Sequence, residues 1–278
     1  MASGRRLGRN QRTRAPRPCR TRTSGSDVIN SALPALDAHA HIAPDVTPTQ
    51  IAALGQSVVF AMTRSLQEAR QVRNRRAPGL VWGVGVHPGV AAARASWDSK
   101  EFTDLLGSFA LVGEIGLDRR GGDLSRQRSI LHDLLTIVRN EPVLVSIHST
   151  GATTEIVEHL HDASVPGAIL HWFNGDAADI ANAVEADAYF SVNAAMSEDR
   201  IRLLPRDRVL CETDFPARKA RSRKPGDIRA IEDLLSRIWG ESVEDVRAKT
   251  WWNLRTLSER SGAIERLPEP IADTLLYL

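Results

Sequence analysis

With 278 residues, 42% of them hydrophobic, and a mean hydropathy of −0.24, the chain has the make-up of a globular protein of one or two domains. No apolar run approaches the roughly 18 residues that a membrane helix needs, so no membrane partner is expected. The two cysteines, Cys19 and Cys211, exclude a disulfide framework and point to a reduced, cytoplasmic compartment.

The net charge of +2 conceals an asymmetry: residues 1–26 hold eight arginines and no acid, which leaves 28 bases against 34 acids in the rest. The isoelectric point of 8.7 thus reflects the head of the chain and says little about the ligand of the folded part. Residues 1–30 lack a hydrophobic period and are rich in Arg, Ser, Thr, Gly and Pro, the composition of a disordered segment. Three readings of this head compete: an arm that binds nucleic acid, an organellar transit peptide, and an upstream start with the true product beginning further in, at Val28. The last is preferred. Residues 31–278 are expected to form one domain.

From Ala35 onward, short apolar runs alternate with longer amphipathic segments. Strands are expected at 35–41, 57–63, 80–86, 110–116, 143–148, 167–172, 188–192 and 208–213. Helical spacing of Leu, Ile, Val and Ala falls between them, at 64–75, 98–107, 126–140, 153–163, 176–186 and 195–204. A further helical region, 227–275, follows the last strand, with Trp239, Trp251 and Trp252 as its packing residues. Eight near-continuous apolar runs separated by helices argue for a parallel sheet closed into a single (β/α)8 TIM barrel. Such barrels keep their active sites at the C-terminal ends of the strands.

Six metal-capable side chains stand at those ends, in the order His39, His41, Glu114, His148, His171, Asp214. His39 and His41 are two residues apart, a spacing that turns both imidazoles to the same side of a strand. Glu114 lies between Gly113 and the Ile115-Gly116 pair; a buried carboxylate there must be paired or metal-bound, and its two oxygens can bridge two cations. Asp214 suits both ligation and acceptance of a proton from water. Glu212, two residues earlier, faces the same way and is expected to orient neighbouring groups. Asp118 reads either as support for the ligands or as a turn cap, with the cap preferred. His87, ending the third run, is assigned to substrate contact. The basic stretch after the eighth run, with Arg218, Arg221 and Arg223, is suited to a phosphodiester backbone, and Arg119-Arg120 extend the same basic rim.

The ordered set His39-Ala-His41, Gly85-Val-His87-Pro88, Gly113-Glu-Ile-Gly-Leu-Asp118, His148, His171-Trp-Phe173-Asn-Gly175 and Glu212-Thr-Asp214-Phe-Pro216 resembles the TatD family of metal-dependent hydrolases, over about residues 35–260. The resemblance implies a TIM barrel with two divalent metals, Zn, Mg or Mn. One would be held by His39, His41, Glu114 and Asp214, the other by Glu114, His148 and His171. It also implies hydrolysis of DNA phosphodiesters, of 3′-exonuclease type, by a hydroxide shared between the metals with Asp214 as base. The chain departs from the family pattern at Thr150, where Arg is frequent, at Arg119, where an aromatic usually stands, and at Asn174, where a small Ser is common. These positions bear on substrate recognition and leave the ligands untouched. Two other readings stand beside the nuclease. One is a hydrolase of another bond, such as a lactone, an amide or the ester of an aminoacyl-tRNA. The other is a metal-binding subunit of a multi-protein assembly, for example in phage defence.

Overall fold

Runs of Val, Ile, Leu and Ala form eight parallel strands: β1 Leu36–His41, β2 Val58–Met62, β3 Leu80–Val84, β4 Leu111–Asp118, β5 Leu144–Thr150, β6 Ala168–Leu170, β7 Tyr189–Val192 and β8 Val209–Cys211. They lie in sequence order, β1 to β8. Strands β1 and β8 meet through His41 N–H to Phe215 O (2.8 Å) and Asp214 N–H to His39 O (2.9 Å), which bring the last strand round to the first. The chain is a TIM barrel, as its alternating pattern indicated. This computed structural model describes Met1 and residues 33–278, apart from the side chain of Arg218. The expectations for residues 1–30 lie outside the described residues; Leu33–Leu278 form one compact unit.

Helices α1 Pro48–Ala52, α2 Leu66–Val72, α3 Ala91–Ala95, α4 Ser99–Leu106, α5 Leu124–Val138, α6 Thr153–Ala163, α7 Ala177–Glu185 and α8 Glu198–Leu203 intervene between the strands. Two of these, α1 and α3, were not expected; each has only five residues, too few for a helical period to show. The region 227–275 is not one helix but three: α9 Arg229–Trp239, α10 Val243–Ser261 and α11 Glu269–Leu276. Gly240 and Gly262 end the first two in the left-handed conformation, at φ 70° and 73°, which a residue with a Cβ adopts at a cost.

The apolar side chains separate into two layers. Outward-facing strand residues such as Val59, Val112, Val145 and Phe190 pack beneath the outer helices. Inward-facing ones such as Leu36, Phe60, Leu111, Ile169 and Leu210 fill the barrel and meet Trp251, Leu254 and Leu257 of α10 and Ile271 and Leu275 of α11. The C-terminal helices therefore pack on inward-facing residues from the early part of the strands and leave the other end for polar groups. Trp239 and Trp251 are buried as expected, but Trp252 is 46% exposed. Neighbours on a helix point about 100° apart, so burying Trp251 turns Trp252 outward, where Arg255 lies over its ring at 5.0 Å.

Candidate metal centre

All six candidate ligands converge at the C-terminal end of the barrel. His39 and His41 come from β1, Glu114 from the middle of β4 and His148 from β5. His171 stands one residue beyond β6, and Asp214 three residues beyond β8. Their burial is graded: His39 and Glu114 lie at the floor, fully buried, whereas His41 and Asp214 keep side-chain exposures of 18% and 15%.

Glu114 is the centre of the arrangement. Its Oε2 lies 3.1 Å from His41 Nε2 and 3.9 Å from His39 Nε2, and its Oε1 lies 3.0 Å from His171 Nε2 and beside His148 Nδ1. Asp214 Oδ1 is 3.8 Å from the Nε2 atoms of both His39 and His41. Two glycines allow the carboxylate to sit so deep. A Cβ on Gly85 would stand 2.3 Å from Glu114 N, and a Cβ on Gly116, at φ 137°, would stand 2.0 Å from His148 O.

Polar contacts at the far side of three of the rings set which nitrogen faces the centre. His39 Nδ1 lies 2.8 Å from Ser146 Oγ, and its Nε2, buried and without a hydrogen bond, faces inward. His148 Nε2 is 3.2 Å from Asp118 Oδ2, so its Nδ1 turns to Glu114. His171 Nδ1 is 3.5 Å from Glu212 Oε2, with Nε2 directed at Glu114. Glu212 is itself held by Ser191 Oγ–H, Asn193 Nδ2–H at 2.9 Å and Trp172 N–H at 3.1 Å. Asp118 does both things that the sequence allowed: it accepts Arg120 N–H at 2.8 Å in a turn and it contacts His148.

His87 behaves differently from the other rings. Gly89 N–H donates to its Nδ1 at 2.9 Å, so a neutral imidazole carries its proton on Nε2, 3.3 Å from Glu114 Oε2. That nitrogen is a donor in this tautomer, and His87 also lies within one cation's reach of His41 and Glu114.

Burial and charge act against one another here. Burial pushes Asp214 up to about 6 and holds His39 well below its usual value. Burial also pushes Glu114 up, but His148 and His171 outweigh it and hold the carboxyl well below the ordinary range. The hydrogen bond with His148 draws Asp118 down to about 2. Several histidines crowded around ionised carboxylates, with His39 Nε2 and Glu114 Oε2 buried and lacking hydrogen bonds, form a donor set that fits divalent cations. Donor atoms of His39, His41 and Asp214 lie within one cation's reach of each other, and so do those of Glu114, His148 and His171.

The sequence reading missed several supports. Ser146 is two residues before His148 on β5, and Ser191 and Asn193 are two apart at the end of β7; strand alternation was the available signal. Asp37, two residues before His39 on β1, has the same spacing, but its partners lie far away in sequence. Fully buried, it accepts Thr213 N–H (2.8 Å), Thr213 Oγ1–H (2.7 Å), Gly226 N–H (2.8 Å) and His39 N–H (3.3 Å), joining β1 to the segment that carries Asp214. Of the basic stretch, the side chain of Arg218 is outside the described residues. Arg221 is exposed, and Arg223 is paired with Asp227 at 3.0 Å. Neither Arg221 nor Arg223 makes a hydrogen bond or ion pair with the six converging residues. Arg64 was not anticipated at the rim, yet its carbonyl accepts His87 N–H at 3.0 Å.

Comparison with known proteins agrees with this geometry. The TatD related DNase family matches residues 36–259. The uncharacterized metal-dependent hydrolase YcfH of Escherichia coli is 25% identical over 196 residues, covering 64% of this chain and 73% of its own. The 3′-5′ ssDNA/RNA exonuclease TatD of Erwinia billingiae is 26% identical over 174 residues, covering 57% and 66%. Among solved structures, the TatD homologue YJJV of Escherichia coli superposes with a TM-score of 0.68 at 20% identity, covering 80% of this chain and 96% of its own. With a family match that spans residues 36–259, the whole of the barrel's strands, the chain belongs to the TatD family of metal-dependent hydrolases.

Proposed function

We propose that this chain is a two-metal phosphodiesterase acting on DNA, a deoxyribonuclease of 3′-exonuclease type. The observation that carries the reading is the division of Glu114: one carboxylate oxygen faces His39 and His41, the other His148 and His171. A carboxylate so divided could offer one oxygen to each of two cations. One cation would be held by His39, His41, Glu114 and Asp214, the other by Glu114, His148 and His171. Zn, Mg and Mn are the candidate ions; histidine-rich coordination favours the first, and nuclease chemistry commonly uses the others. Bound there, divalent ions supply Lewis acidity and neutralise the charge that develops on the phosphoryl group.

The chain's own groups complete the chemistry. Asp214, at the open side of the cluster, accepts the proton of the attacking water. His87 presents Nε2–H to a phosphoryl oxygen. Asp118 and Glu212 hold His148 and His171 in the tautomers that leave the inward nitrogens free. Arg64, Arg119 and Arg120, all exposed, extend cationic reach along one side of the opening, and Arg218, Arg221 and Arg223 are assigned to backbone phosphates further along the strand. Trp172 and Phe215, which directly follow His171 and Asp214 and are partly buried, offer apolar surface to the bases. The relative from Erwinia billingiae, named as a single-strand exonuclease, supports a nucleic-acid substrate.

The deciding experiment is cleavage of end-labelled single- and double-stranded DNA by purified protein with Mg²⁺, Mn²⁺ or Zn²⁺, beside His39→Ala and Glu114→Ala controls. Metal-dependent shortening from the 3′ end, lost in both controls, is expected. Absence of cleavage by folded, metal-loaded protein would move the assignment to another ester or amide.

A further inference from the structure

We infer that Asp37 is a positioning residue for Asp214, an assignment that rests on the proposed reading of Asp214 as cation ligand and base. Asp37 grips the residue before Asp214 and so holds that carboxylate against His39 and His41. Asp37 and Thr213 are both fully buried and stand 176 positions apart in the chain. Asp37 Oδ1 accepts Thr213 N–H at 2.8 Å, and its Oδ2 accepts Thr213 Oγ1–H at 2.7 Å. One carboxylate thus takes both donors of one residue.

Asp214 needs such a grip. Its backbone stands at φ 45°, in the left-handed region, where a residue with a Cβ is strained. A conformation of this kind persists only where the surroundings over-determine it, and such strain gathers at functional sites. Asp214 N–H donates to His39 O at 2.9 Å, and Ala217 N–H donates to Asp214 O at 2.8 Å. Phe215 N–H donates to Thr213 Oγ1 at 3.2 Å, and that hydroxyl passes its own proton toward Asp37. The contact with Asp37 therefore fixes the residues on both sides of Asp214, whose Oδ1 lies 3.8 Å from the Nε2 atoms of His39 and His41.

The position calls for an acid and not an amide, because every partner is a donor. Besides the two groups of Thr213, Gly226 N–H reaches Oδ2 at 2.8 Å and His39 N–H reaches Oδ1 at 3.3 Å. A buried carboxylate is tolerated when hydrogen bonds satisfy it, and here four do. An asparagine would turn its NH₂ either toward Gly226 N–H or toward the N–H groups of Thr213 and His39. In both orientations donor faces donor. The bond from His39 N–H is the longest of the four, so the grip on Thr213 is the stronger part of the arrangement.

The test titrates Zn²⁺ into the full chain, freed of metal, by calorimetry against a competing chelator. Asp37→Asn is expected to weaken Zn²⁺ binding at the site that includes Asp214 by about tenfold, as loss of support behind a ligand does. Thr213→Val, which removes only the hydroxyl, should weaken it in the same direction. Thr213→Ser, which keeps both donors, should match the unaltered chain. Added to Asp214→Ala, Asp37→Asn should bring little further loss, because both changes act through one carboxylate. Thermal unfolding verifies the fold of each variant, and if Asp37→Asn does not fold, the two Thr213 variants decide. Unchanged affinity in Asp214→Ala would overturn the reading of Asp214 as a ligand and the positioning role with it. Lost affinity in Asp214→Ala, beside full affinity in Asp37→Asn and Thr213→Val, would overturn the positioning role alone. A fully additive loss in the double variant, the mark of a general effect on stability, would overturn it too, and so would equal losses in Thr213→Ser and Thr213→Val.

Discussion

His148 Nε2 stands 3.2 Å from Asp118 Oδ2, on the far side of the ring from Glu114. A carboxylate behind an imidazole fixes its tautomer and raises its basicity, so the residue that ends β4 sets the behaviour of a side chain on β5. Asp118 is drawn down to about 2, first by this hydrogen bond, and stays ionised across the working pH range. Asp118→Ala is expected to lower divalent-cation affinity at the site that includes His148 by about 10–100-fold. Asp118→Asn, which keeps an acceptor, should lose less. Metal content and calorimetric titration of the two variants measure this, and equal metal affinity in Asp118→Ala would return the residue to a turn cap.

Trp172 follows His171 directly, at φ 41°, with its N–H accepted by Glu212 Oε1 at 3.1 Å. A non-glycine residue in the left-handed region is uncommon, and local bonding of this kind keeps it there. If its ring serves as a platform for bases, Trp172→Ala should raise KM for single-stranded DNA by about tenfold, the loss of one stacking contact, with little change in kcat. A fall in kcat with KM unchanged would point instead to displacement of His171.

Charge reversal at Arg221 and Arg223 should weaken DNA binding and flatten its salt dependence, each lost phosphate contact reducing the slope of log K against log salt by about 0.7 for a single strand. The exposed position of both side chains makes a folding defect an unnatural explanation for any loss. An unchanged slope would leave these arginines as solvated surface.

Cys211 is fully buried on β8, and burial pushes its thiol well above the ordinary thiol range near pH 9, with Glu232 and Asp37 adding to the effect. The folded state therefore keeps its proton where the unfolded thiol loses it. Stability is unaffected by this group below pH 9 and declines as pH rises past that value. In a Cys19→Ser background, labelling of Cys211 by a thiol reagent should proceed at the rate of unfolding, and the pH slope should vanish in Cys211→Ala. Labelling that instead tracks the thiolate fraction of a free cysteine would show an accessible thiol.

The barrel and the six converging residues were legible in the chain because they depend on short-range regularities. Apolar runs bounded by Gly, Pro and polar residues mark β1 to β8, and residues at the ends of such runs must gather at one end of a parallel barrel. His39 and His41 reach the same side through a spacing of two, and no long-range information was needed to see it. Short helices such as α1, and the division of 227–275 at Gly240 and Gly262, escaped because five residues carry no period and a glycine stop counts only once the chain turns there.

What only the tertiary structure decided concerns pairs distant in sequence. Asp37 accepts hydrogen bonds from Thr213 and Gly226, Glu212 is held by Ser191 and Asn193 while lying beside His171, and Asp118 is set behind His148. Trp82 and Arg266 line one crevice although 183 residues lie between them in the chain. The side-chain period of a strand says which face a residue occupies, whereas the partner it meets there is set by strand register and by closure of β8 on β1. Those are properties of the assembled barrel, and from them follow which nitrogen of each imidazole faces inward and how Glu114 divides its two oxygens.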